Sequence, residues 1–157
     1  MENRTLPNEI LLGEISSLLE EGREVVFTPK GTSMLPFIRG GRDSVTLKKM
    51  DQVRVGDIVL AHLPDSRYVL HRVVKVLPGD VFYIIGDNTV SGEYVKFENI
   101  LGIMTYIQSE HREIDCVNDA RYQRLVRAWW TVYPIRKCLL RVRGFLGKYK
   151  RRIAGRA

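Results

Sequence analysis

Two residues in this chain have the types that make a nucleophile and its base, Ser33 and His71. Ser33 stands in Gly31-Thr32-Ser33-Met34-Leu35-Pro36, where a glycine two residues ahead permits close backbone approach and an exposed hydroxyl. A serine is a weak nucleophile unless a base lies within hydrogen-bond reach. His71 stands in Tyr68-Val69-Leu70-His71-Arg72-Val73-Val74, a predicted strand whose other positions are mostly apolar. A half-buried imidazole, with a reference pKa of about 6.5, is neutral at pH 7 and able to take a proton. Pattern alone leaves the commoner readings open, a turn serine and a strand histidine that share no task. His62 and His111 read as surface residues, and no two histidines form HxxxH. Cys116 and Cys138 form no CxxC and read as free thiols in a reducing compartment. No metal and no other cofactor is expected.

The elements that must position these residues are mostly strands. Asn8 is a plausible N-cap, and Ile10, Leu11, Ile15, Leu18 and Leu19 follow at helical spacing until Gly22, which predicts a helix over 8–21. From Glu24 to Ile107 short runs of Val, Ile, Tyr and Phe alternate with Gly, Pro and Asp. These predict strands Glu24–Thr28, Ser44–Leu47, Asp57–Leu63, Tyr68–Val76, Val81–Ile85, Val95–Phe97 and Leu101–Ile107. Strands this close, with no helix between them, pair antiparallel. The expected class is α+β, mainly antiparallel β, with a helix at each end. Residues 1–118 read as the β module with its N-terminal helix, and residues 119–157 as a basic helical tail.

The charge divides at the same place. The chain carries 25 Lys+Arg against 18 Asp+Glu over 157 residues, a net of +7. Residues 1–119 hold 13 of the basic and all 18 acidic residues, a net of −5; residues 120–157 hold 12 basic residues and no acid. In the tail, Tyr122, Leu125, Val126, Trp129 and Tyr133 share a helical face, Pro134 interrupts, and a second apolar series runs from Ile135 to Ile153. Three uses compete for this tail: a helix packed on the sheet, an in-plane seat on an anionic membrane with tryptophans at headgroup level, and phosphate contacts to nucleic acid. The aromatics favour a membrane over nucleic acid, which is not expected as a partner. No transmembrane helix or signal peptide is read in the sequence.

The segment Gly31-Thr32-Ser33-Met34-Leu35-Pro36-Phe37-Ile38 resembles the nucleophile box of the signal peptidase I and LexA-type serine peptidase superfamily. Gly56-Asp57-Ile58-Val59 with His71-Arg72-Val73-Val74 resembles its second box, and Gly86-Asp87-Asn88 its third. The resemblance covers residues 24–107, with the base 38 residues after the serine. Its implied fold is the coiled β-sheet module of signal peptidases. With histidine where most members carry lysine, the chain resembles the Ser/His branch. Ser33 then attacks the scissile carbonyl, and His71 takes its proton and returns it to the leaving amine.

The same resemblance implies an acid that orients the imidazole, and here Glu93 and Asp87 compete. Family members carry Asp at the position Glu93 holds; Asp87 has a rival reading as a turn residue. Many members place a hydroxyl two residues before the nucleophile for the oxyanion; this chain has Gly31, leaving the task to the Ser33 N–H with Thr32 nearby. Met34 is expected beside the substrate groove. Arg72 reads as a strand-surface charge. The expected activity is cleavage of an extended leader or signal-type peptide. The expected place is the cytoplasm, with a peripheral seat on the cytoplasmic membrane face. The rival reading is a non-catalytic or regulatory protein that keeps the repressor-peptidase fold and binds peptide or membrane.

Overall fold

A computed structural model of the chain describes residues 8–138 and residue 142, with the backbone alone for 8–12. The first element is helix α1, Asn8–Glu20. It buries Ile15 and Leu19. It ends in a left-handed glycine: Gly22 has φ +77°, its N–H bonds Leu19 O, and the Arg23 N–H bonds Leu18 O. That pair of bonds satisfies the last carbonyls of the helix, a task for which glycine is preferred because it has no Cβ to clash.

Eight strands follow: β1 Val25–Phe27, β2 Ser44–Lys48, β3 Ile58–His62, β4 Tyr68–Leu77, β5 Val81–Ile85, β6 Gly92–Lys96, β7 Ile100–Ser109 and β8 Arg112–Asp115. They form one sheet in the order β1-β2-β7-β3-β4-β5-β6, with β8 on the end of β7. Each pairing is antiparallel. The α+β class with a mostly antiparallel sheet is therefore as expected. Two features differ. β8 lies beyond the last predicted strand, and the sixth strand begins at Gly92, three residues before its predicted start.

The sheet buries apolar residues on both faces. Ile58 and Leu60 of β3 join one cluster with Ile15, Leu19, Val45, Leu47, Met104 and Ile107. Val59 and Ala61, which point the opposite way, join a second with Val73, Phe82, Ile84, Val95 and Ile103. Alternation puts neighbouring residues on opposite faces, so a strand covered on both sides is apolar throughout.

Helix α2, Ala120–Thr131, completes the first cluster. Asp119 caps it by accepting from the Arg121 and Tyr122 N–H groups, at 2.7 and 3.1 Å. The boundary expected at 119 thus falls on a helix cap. Tyr122 and Val126 are buried in the same cluster as α1 and the sheet. Trp129 and Trp130 hydrogen-bond to Asp87 of the β module, as a helix packed on the sheet would have it. The helix breaks at Val132 and resumes over 133–138, with Pro134 in the first turn of the new stretch, where its missing N–H costs no bond. The rest of the predicted second tail helix, apart from residue 142, lies outside the described residues. No helix among the described residues is long and apolar enough to cross a membrane.

Candidate active site

His71 sits in the middle of β4, where four successive residues, Leu70 to Val73, are buried. Its Nδ1 lies 3.1 Å from Glu93 Oε2. The register explains the contact: Glu93 on β6 pairs with Ile84 on β5, and Ile84 pairs with Val73 on β4. Val73 and His71 are two residues apart, so both side chains and that of Glu93 share one face. A carboxylate only accepts, so the proton of a neutral His71 sits on Nδ1. Nε2 is left with its lone pair, the arrangement a general base requires.

Two opposing influences set the basicity of this imidazole. Burial lowers the His71 pKa from its ordinary 6.5, and the Glu93 charge and hydrogen bond pull it back up. The net shift is downward, so the ring is neutral at pH 7.

Ser33 packs against Gly86, the residue that follows β5. Ile85, the last residue of β5, pairs with Arg72, the neighbour of His71, and Gly86 follows it directly. A Cβ at Gly86 would lie 3.0 Å from Ser33 Cβ and 2.7 Å from Ser33 O. Ser33 therefore occupies the space a side chain at 86 would fill. The serine backbone is held there by the Asn88 N–H, which donates to Ser33 O at 2.7 Å, and by Asn88 Nδ2, which donates to Thr32 O at 3.3 Å. No hydrogen bond joins the Ser33 hydroxyl to His71 in this structure. The Ser33 N–H also donates to no acceptor among the described residues.

The loop that carries Ser33 turns on Gly31, whose φ of +94° is in the region that disfavours a side chain. Gly40 packs directly against the Gly31 carbonyl. Thr32 is exposed, whereas Met34 is buried in the first cluster. A recess of about 20 Å³ opens beside the serine, lined by Pro29, Gly31, Ser33, Met34, Ile38 and Leu70.

His71 and Glu93 are thus brought together and Ser33 packs against Gly86, while the Asp87 carboxylate turns to Arg72. The Asp87 side chain is fully buried and gripped by Arg72, with Nε to Oδ1 at 2.8 Å and Nη2 to Oδ2 at 2.7 Å. Arg72 also donates through Nη1 to Gly56 O at 2.8 Å and through Nη2 to the Tyr122 hydroxyl at 3.1 Å. It is 3% exposed, so its expected place on the strand surface is corrected. The paired Asp87 carboxylate holds the Arg72 pKa above its ordinary value, although burial acts against this. Burial raises the Tyr122 pKa, so its hydroxyl stays protonated.

The sequence reading missed Arg72, Tyr122, Trp129 and Trp130 as one polar cluster. A signal was present in the lone arginine amid an apolar strand, which needs a buried acid if both faces are covered. Comparison with protein-family models and with curated proteins finds no match.

Proposed function

We propose that this protein is a serine endopeptidase of the kind that signal peptidase I represents, acting on an extended leader or signal-type peptide. The observation that supports the reading is the buried His71 ring, held through Nδ1 by Glu93, with Ser33 in the place of a side chain at Gly86, which follows the residue that pairs with Arg72. Ser33 Oγ attacks the scissile carbonyl carbon while Nε2 of His71 takes the hydroxyl proton. The oxyanion faces the Ser33 N–H. The C–N bond then breaks as His71 gives its proton to the leaving amine. Water, deprotonated by His71, hydrolyses the acyl-enzyme and frees Ser33. Glu93 stabilises the imidazolium that forms twice in the cycle. The small recess beside Ser33 suits a small side chain next to the cut.

A serine-directed acylating probe tests this. Wild-type protein is expected to label at Ser33, with Ser33→Ala and His71→Ala inert. If wild type labels no faster than either variant, the peptidase reading is wrong.

A further inference from the structure

The buried pair Arg72–Asp87 lies one residue from the proposed base on one side and one residue from the seat of the serine on the other. Arg72 follows His71 directly. Asp87 stands between Gly86, which makes room for Ser33, and Asn88, whose N–H holds the Ser33 carbonyl. The short segment Gly86-Asp87-Asn88 therefore sets where the serine stands relative to the imidazole.

Helix α2 holds that segment from outside the sheet. The Trp129 indole N–H donates to the Asp87 backbone carbonyl at 2.9 Å. The Trp130 indole N–H donates to Asp87 Oδ1 at 3.0 Å. Tyr122, on the same helix, accepts from Arg72. One helix thus fixes the main chain of the turn, its carboxylate and the arginine that pairs with it. Phe37, four residues after Ser33, packs edge-on to Tyr122 and Trp129, with ring centroids 5.6 and 6.1 Å apart. Arg136 stacks on Trp129 at 4.1 Å from the ring centroid and donates through Nη1 to Trp129 O at 3.4 Å.

We infer that Trp129 and Trp130 are positioning residues for the proposed peptidase: through Asp87 they hold the 86–88 turn, and with it Ser33, in line with His71. This inference rests on the peptidase reading. It gives the two indoles a task on the catalytic module, where a turn held only from one side would let the serine drift. Displacements of about 1 Å between reacting groups cost on the order of a hundredfold in rate, so small motions here matter.

The test uses the full chain with Trp129→Phe and Trp130→Phe, which keep a ring and lose the N–H donor. Leu125→Ala, an exposed position on the same helix, is the control. Labelling by a small acylating probe is resolved into its binding constant and its maximal rate, at a temperature well below each variant's melting point. The expected result is a maximal rate lower by about ten- to a hundredfold in each tryptophan variant, with probe binding unchanged and the control equal to wild type. A purely structural role would lower the melting temperature alone. Wild-type maximal rates in both folded variants would overturn the inference and leave the peptidase reading standing. Failure of wild type to label would overturn the peptidase reading itself. Should one variant not fold, the same measurement on the other decides.

Discussion

Arg72 and Asp87 form a two-pronged ion pair, 2.8 and 2.7 Å long, with side chains 3% and 0% exposed. Planar guanidinium and carboxylate groups meet in parallel bonds, and the remaining Arg72 donors reach Gly56 and Tyr122. The pair is thus satisfied on each side, and its importance shows when one member is removed.

Asp87→Ala leaves the Arg72 charge buried without its partner. Removing one member of such a pair costs about 3–5 kcal/mol. Urea unfolding at neutral pH is expected to show a loss on this scale, a large share of a domain's stability. A loss below 1 kcal/mol would mean that water reaches Arg72 freely.

Ser33→Ala behaves in the opposite way. The serine hydroxyl makes no hydrogen bond among the described residues, so its removal is expected to change stability by less than about 0.5 kcal/mol. Thermal melting unchanged beside a complete loss of probe labelling would separate the chemistry from the fold. A marked drop in melting temperature would contradict the geometry.

Gly86→Ala intrudes on the serine itself. Its Cβ would stand 2.7 Å from Ser33 O, 2.9 Å from Thr89 Cγ2 and 3.0 Å from Ser33 Cβ. Such overpacking costs about 1–3 kcal/mol, and here the atoms that must yield belong to the proposed nucleophile. The variant is expected to label at least tenfold more slowly than wild type, on the scale set by displaced reacting groups. Labelling at the wild-type rate would show that Ser33 does not depend on this contact.

The pH dependence follows from His71. Its folded pKa lies below 6.5, chiefly through burial. The proposed base stays deprotonated at neutral pH, and the labelling rate is expected to fall only below pH 6.5. Glu93→Gln removes the charge that raises this pKa, so the fall moves to still lower pH, and the rate above it drops by about 10²–10⁴-fold. For stability, the unfolded chain takes up a proton that the folded chain refuses. The contribution is complete above pH 6.5 and is lost as pH falls from there through the folded pKa. Urea titrations across that window, with His71→Asn as the reference that lacks the slope, check the sign.

The sheet was legible because its strands are short, apolar and cut by Gly and Pro. β8 was not, since Arg112 and Glu113 are exposed and the strand is held by backbone bonds to β7 rather than by an apolar face. The start of β6 was hidden because Gly92 reads as a breaker, yet it pairs with Ile85 where a Cβ would clash with the neighbouring strand. At the site, Ser33 and His71 were singled out by residue type and local context, whereas their pairing and the acid were named only from the resemblance. Arg72 was misread because strand alternation says which residues share a face, not whether that face is covered. The partner of the tryptophans was left open for the same reason: an amphipathic basic helix has one pattern whether its aromatic side meets lipid or protein.

The chain has two tryptophans, and both donate to Asp87. Its entire indole emission therefore originates at the turn that seats Ser33. The protein carries a built-in optical reporter: a peptide settling over the serine, or a shift of the 86–88 turn, changes the surroundings of both fluorophores together. Without any introduced label, the colour and intensity of that light record the state of the candidate site.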